Sequence, residues 1–448
     1  MMLLLLAACA DDTKLPPSGG PTWHQDVAPI LAARCGSCHN SGGLAPFPLD
    51  DYATSAPLSA AIAAAVEDGT MPPWLAQVSD SCTPKRDYKD DLRLSPDEIA
   101  TLRDWSDAGA PEGDAATAAP IPGSPSLTVA SPSAELTFPV AYEVKGPADE
   151  YVCFILDPGN TTDVWINEVQ LVPGNPEMDH HGLVFVDFGG VAADLYPDLH
   201  FPCFSSPANI PNYQISTWTP GAVVTRTPAG TGSPLPAGAL IVVQMHYHPP
   251  GGQPATDQSV LQLQWTETRP TWESAHVLLG NYNDSEGDGI GLLPGPNDRT
   301  AEPEFLIPAG AVGHTEEMVY RQETDFEIPI YSAGTHMHFV GTDMKIMFRD
   351  DGREECLVHT PTWDFNWQRV YDFDAAIDAL PTIGKDDDLV MKCVYDNSMG
   401  NRFVADALAE AGLTEPQDVY LGETTLDEMC LGMFGILLPP GLVEQLFE

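Results

Sequence analysis

The sequence predicts a multidomain chain: a small all-α unit over residues 22–112, a linker over 113–126, and two antiparallel, jelly-roll-like β-sandwiches over 127–268 and 269–448. Three observations lead there. Helical patterning surrounds the motif Cys35-Gly36-Ser37-Cys38-His39 near the start of the chain. A run of Ala, Pro, Gly and Ser centred on 115–120 then interrupts it. Beyond Leu127 short β-rich runs alternate with turn clusters, and 43 Pro and 38 Gly favour loops over long helices.

The first element, residues 1–21, reads as an export signal and tether. Leu3 to Ala8 is a short apolar run, too short to span a bilayer. Leu6-Ala7-Ala8-Cys9 is similar to a bacterial lipobox, which implies lipidation of Cys9; the usual positive n-region is missing, as a truncated start would leave it. The mature protein is therefore expected outside the cytoplasm, periplasmic or at the cell surface, touching a membrane only through a lipid anchor. Disulfides persist in such a compartment. Setting aside Cys9, Cys35 and Cys38, six cysteines remain (Cys82, Cys153, Cys203, Cys356, Cys393 and Cys430). An even number suggests bridges, and spacing leaves their pairing open.

Next comes the helical unit. Residues 23–34 read as a helix feeding into the cysteine pair, and 58–67 as an Ala-rich helix. Ser95-Pro96-Asp97-Glu98 is a capping box with Pro at the first helical position. The helix it starts aligns Ile99, Leu102 and Trp105 and stops near Gly109-Ala110-Pro111. In the second half, Val184-Phe185-Val186, 240–245 and 344–348 are typical strand runs, with no helices between them. Arg269-Pro270 breaks the pattern and marks the boundary between the expected sandwiches.

With 65 acidic against 19 basic residues the formal net charge is -46, which excludes nucleic acid and anionic lipid as partners. The acid is spread along the chain, as on a solvated, self-repelling surface. Asp284-Ser285-Glu286-Gly287-Asp288-Gly289 begins like a calcium loop, but Gly295 stands where the bidentate Glu is needed.

Cys-x-x-Cys-His is the attachment sequence of c-type haem: two thiols add across the vinyl groups and the His sits beneath the iron. Cys35, Cys38 and His39 take those roles, and a zinc knuckle or a disulfide is the competing reading. Met71, in Gly69-Thr70-Met71-Pro72-Pro73-Trp74, is the expected sixth ligand, with His24 as its competitor. This region resembles class I cytochrome c, so the all-α unit is expected to be a cytochrome c domain.

Twelve histidines are present, and those of the β half cluster as His180-His181, His246-Tyr247-His248 and His336-Met337-His338. On a strand, residues i and i+2 share a face, so each His-x-His can chelate one metal. Adjacent histidines point to opposite faces; His180 and His181 can serve one ion only at a strand end, at a bulge or through different ring nitrogens. Imidazole and thioether donors suit copper.

From Leu127 to the end the chain resembles the copper type II, ascorbate-dependent monooxygenases. The resemblance rests on Tyr151-Val152-Cys153, Asp179-His180-His181-Gly182, Gln244-Met245-His246-Tyr247, His336-Met337-His338, Cys393-Val394-Tyr395 and Glu428-Met429-Cys430, in that order. It implies one copper on His180, His181 and His246 that stores an electron, and a second on His336, His338 and Met429 where O2 is activated. It also implies disulfides Cys153–Cys203 and Cys393–Cys430, leaving Cys82 and Cys356 unassigned and His248 outside the ligand sets. The implied activity is hydroxylation of a C–H bond in a small molecule, across an open cleft, with electrons from ascorbate, the haem or a periplasmic redox partner. The sequence departs from the peptide-hydroxylating branch at Gly334, where that branch has an Arg, and at Leu431 and Met433, where it has polar residues. These replacements hint at a neutral or apolar substrate. The alternative is an exported haem- and copper-binding electron carrier that hydroxylates nothing.

Overall fold

The computed structural model describes residues 19–41, 45–123, 126–146, 149–203, 207, 210–248, 253–280, 292–293, 305–350, 353–422 and 426–447. Cys9 and the calcium-like segment at 284–295 contain no described site residues apart from the isolated pair at 292–293. The chain divides into two compact units, one made of residues 1–72 and 92–125, the other of 73–91 and 126–448.

The smaller unit holds short helices, chiefly Ala28–Arg34, Ser59–Glu67 and Pro96–Asp107. Ser95 caps the last of these: its hydroxyl accepts from the Glu98 N–H at 3.2 Å, and its own N–H donates to the Glu98 carboxylate at 2.7 Å. Such a cap contributes about 1 kcal/mol. Trp23, Val27, Leu31, Ile62, Val66, Leu102 and Trp105 form the core. Arg34 pairs with Glu98 at 3.1 Å.

The expected all-α cytochrome c domain is not seen. The chain is mostly sheet, 38% strand against 17% helix, and its helices are few and short. Two physical reasons stand out. Prolines and glycines punctuate the segment, so no described helix exceeds the 12 residues of Pro96–Asp107. The stretch 22–112 is also not self-contained, because 73–91 belongs to the β unit. There Trp74, Ala76, Cys82 and Tyr88 are buried. The Gln77 N–H donates to the His359 carbonyl at 2.9 Å, the Tyr88 hydroxyl to the Leu357 carbonyl at 2.7 Å, and Cys82 is disulfide-bonded to Cys356.

In the β unit, strand Leu240–Tyr247 lies between Glu150–Leu156 and Asp179–Asp187, antiparallel to both. Val152, Val184, Val186, Val242 and Val243 are buried there, as runs of apolar β-branched residues require of central strands. Strand Trp272–Gly280 pairs with Asn212–Trp218, with Thr231–Leu235 and with Leu431–Leu438, and the last pairs in turn with Ile328–His336. One 15-stranded hydrogen-bonded sheet therefore runs through position 268 without a break. A separate five-stranded sheet holds Leu292–Leu293, Val312–Arg321, Gly341–Asp350, Arg353–Thr360 and Asp388–Asp396. The bridge Cys393–Cys430 ties it to the segment entering Leu431–Leu438, and Cys153–Cys203 closes the far edge of the large sheet. Among the described residues no helix is long and apolar enough to cross a membrane.

Candidate metal centre

The first histidine group is built by a bulge. Strands Asp179–Asp187 and Leu240–Tyr247 pair His181 with His246, and the next pair is Asp179 with Tyr247. His180 is the extra residue. A bulge of this kind turns a side chain that would otherwise point to the opposite face, and it lets both adjacent imidazoles converge. The Nδ1 atoms of His180 and His181 are 3.2 Å apart, those of His181 and His246 3.3 Å. Nitrogen ligands of one ion with bonds of about 2.0–2.1 Å lie about 3.3–3.5 Å apart, so the spacing fits a single metal ion. Ligand atoms of all three residues lie within 4.8 Å of one another.

The outer nitrogen of His246 is held from behind. Its Nε2 meets Asp149 Oδ2 at 2.9 Å, while the other oxygen of Asp149 meets His248 Nδ1 at 2.7 Å. Burial works against the Asp149 carboxylate, yet the hydrogen bonds from His246 and His248 outweigh it and hold its pKa well below the usual range. Tyr151 stacks on the His246 ring at 4.3 Å, and Phe365 on His180 at 4.8 Å. Burial, then the neighbouring rings, pushes His180 and His181 well below the ordinary imidazole pKa. Neutral imidazoles are the form that binds metal.

The second group sits where strand Ile328–His336 ends. His336 Nδ1 meets Gln368 Oε1 at 2.5 Å, and His338 Nδ1 donates to the Asp427 carbonyl at 3.1 Å, so each ring is oriented through that nitrogen. The rings are 5.2 Å apart. Met429 is placed by its own backbone: its N–H donates to Glu428 at 2.7 Å, its carbonyl accepts from the Tyr395 hydroxyl at 2.8 Å, and Cys430 follows in a disulfide. The fully buried Glu428 carboxyl also accepts from the N–H groups of His338 and, at 3.1 Å, Val340. One side chain thus locks the His-x-His turn to the Met429 loop. Burial pushes its pKa up to about 8 against the pull of those N–H groups.

His181, His336, His338 and Met429 wall one cavity of about 90 Å³, with Tyr151, Gln244 and Gln368 beside them. Four apolar side chains, Leu183, Leu278, Leu431 and Met433, and two hydroxyls, Thr217 and Thr219, complete it. Residues of both histidine groups thus line one cavity. Sequence reasoning missed Asp149 and Gln368, and gave Glu428 no role. Asp149 lies two residues before Tyr151, but its partner His246 is 97 residues away, and no local signal connects them.

In the smaller unit Cys35 and Cys38 are not disulfide-bonded. Burial, then Cys38, pushes the Cys35 thiol up to about 12. His39 Nδ1 donates to the Phe47 carbonyl at 3.0 Å, leaving Nε2 as ligand atom. Two thiols and a fixed imidazole fit haem attachment. Met71 is tied by its N–H to the Ala65 carbonyl at 3.1 Å; no described hydrogen bond or ring contact links it to His39. His24 pairs with Glu112 at 3.7 Å.

No family model matches the chain, and no curated protein does. Among solved structures it is 7% identical to dimeric latent PorU from Porphyromonas gingivalis, covering 65% of this chain and 24% of that one at a TM-score of 0.15. It is 10% identical to pumpkin seed globulin, covering 67% and 84% at a TM-score of 0.14. The chain thus spans about a quarter of PorU, and scores this low carry no argument about fold or function.

Proposed function

We propose that this chain is a copper-dependent monooxygenase that hydroxylates a C–H bond of a small molecule with O2, and that a haem attached at Cys35 and Cys38 feeds it electrons. The observation that carries the reading is the shared chamber: His181 of a three-imidazole group and His336, His338 and Met429 of a two-imidazole, one-thioether group face the same space. Copper held by these donors supplies the one-electron steps that O2 reduction requires. The chain's own residues do the rest. Asp149 fixes His246 with Nδ1 toward its partners. Gln368 and the Asp427 carbonyl hold His336 and His338 by their Nδ1 atoms. Glu428 and the Cys393–Cys430 bridge hold Met429 against them. The leucine and methionine walls keep bulk water from the reacting carbon. His39 would be a ligand of the haem iron, with its Nδ1 donating to the Phe47 carbonyl.

The test uses full-length protein matured with copper and haem. Metal analysis, haem spectroscopy and copper EPR are expected to give two coppers and one haem per chain. Turnover under labelled O2 is expected to place one labelled oxygen atom in product, and Met429→Ala to abolish this. Bound copper and haem redox cycling without labelled product would establish the electron carrier instead. No copper after maturation would remove both.

A further inference from the structure

A second cavity, of about 70 Å³, shares Thr217, Thr219 and Met433 with the metal-side chamber. Its distinctive lining groups are Arg369, Asp372 and His276. Arg369 directly follows Gln368, the residue that holds His336. We propose that this cavity is the substrate's anchoring site, and that Arg369 there binds the carboxylate of a small aliphatic acid whose apolar end reaches past Met433 to Met429. The proposal rests on the monooxygenase reading for its word substrate; the anion site itself does not.

The charge of Arg369 is uncommitted. In a chain with 65 acidic and 19 basic residues, an arginine readily finds a carboxylate, and Arg34, Arg86, Arg103, Arg226, Arg269, Arg321, Arg349, Arg353 and Arg402 all do. Among the described residues Arg369 has no ion-pair partner. Its guanidinium lies over the Trp74 ring, 5.1 Å from the centroid, and makes one long contact with the Gly221 carbonyl at 3.5 Å. Asp372 lines the same cavity without pairing with it, and burial pushes that carboxyl up to about 7. A guanidinium placed over an aromatic ring, with no carboxylate partner, has N–H donors to offer a planar oxyanion.

Gly334 explains how the arginine comes so near the ligand strand. A Cβ at that position would sit 2.9 Å from the Arg369 carbonyl oxygen and 2.9 Å from Met433 Cε. The missing side chain admits the 369–370 backbone, which pairs with strand Ile328–His336 through Val370 and Gly334. Leu183, Leu278, Leu431 and Met433 in the neighbouring chamber suit an apolar chain.

The test is calorimetric titration of the copper-loaded full-length protein with butyrate, butyramide and butylamine, repeated after copper is stripped. Butyrate is expected to bind at least tenfold more tightly than either analogue, in both forms. The net charge of -46 opposes any anion, so such a preference must be local. Arg369→Gln should bring butyrate down to the level of butyramide while leaving butyramide unchanged, and Arg369→Lys should keep part of the preference. Equal binding of acid and amide, preference for the amine, no binding of any probe, or a preference that survives Arg369→Gln would each overturn the proposal. Should Arg369→Gln fail to fold, the acid-to-amide ratio of the unsubstituted protein decides. The stripped protein separates this result from copper content: loss of the preference there condemns the anion site, whereas absence of copper condemns only the monooxygenase reading.

Discussion

Replacing Asp149 by Asn is expected to weaken copper binding at the three-imidazole group without dismantling it. Asp149 accepts from His246 Nε2 at 2.9 Å and from His248 Nδ1 at 2.7 Å. The first bond fixes the His246 tautomer with Nδ1 unprotonated and, through its negative charge, raises the basicity of that nitrogen. Asn keeps the shape, removes the charge and offers one acceptor instead of two. The ring stays in place, because Tyr151 still stacks on it at 4.3 Å. The loss is therefore electronic and tautomeric, of the kind that costs about 10–100-fold in metal affinity when an outer hydrogen bond to a ligand His is removed. That corresponds to about 1.4–2.7 kcal/mol. The assay is competition for copper against a chromophoric chelator at fixed pH. His248→Ala is the control: it removes the exposed partner, leaves the Asp149–His246 bond, and should change affinity much less. Equal copper affinity in Asp149→Asn and the unsubstituted protein would refute the reasoning, as would a larger loss in His248→Ala.

Other perturbations probe separate parts of the molecule. Glu428→Ala strands the N–H groups of His338, Val340 and Met429 in a buried site, at about 1–3 kcal/mol each; the denaturant midpoint should fall by an amount equivalent to at least about 3 kcal/mol, and an unchanged midpoint would contradict the clamp. Asp372 has its pKa raised by burial from 3.8 to about 7, so the folded state holds the proton more tightly than the unfolded one. Its contribution is full below about pH 4 and is lost as pH rises through 7; Asp372→Asn should flatten the part of that decline between pH 5 and 8, by at most about 3 kcal/mol at about 1.4 kcal/mol per unit, as read from urea melts at those two pH values. Cys82 and Cys356 are 274 residues apart, so replacing both by Ser removes a constraint worth up to about 5 kcal/mol. Limited proteolysis should then cut first within 73–91, and an unchanged cleavage pattern would show that Trp74 and Tyr88 anchor that segment by themselves.

The local chemistry was legible in the sequence. Strand periodicity required a strand end, a bulge or different ring nitrogens for His180 and His181 to share an ion, and a bulge is there; it did not show that His248 and His338 lie just past the ends of their strands, where His248 turns to Asp149. The capping box at Ser95 depends on four consecutive residues, and it too is present. What failed was the inference from local pattern to domain. Residues 73–91 follow the helical segment in sequence, yet Trp74, Cys82 and Tyr88 find their burial against Tyr371, Cys356 and Phe373, some 270 to 300 positions later. No periodicity encodes such partners, and with that segment gone the expected cytochrome c domain does not form. The same holds for the charges and dipoles that orient the site. Asp149 on His246, Gln368 on His336, Glu428 across the His338 turn and Arg369 beside Gly334 all act over distances in sequence that only strand pairing closes. The sequence by itself determined which donor atoms this protein owns; the tertiary structure decided which of them share a cavity and which nitrogen each imidazole presents, because register and long-range hydrogen bonds are properties of the folded sheet and not of any local window.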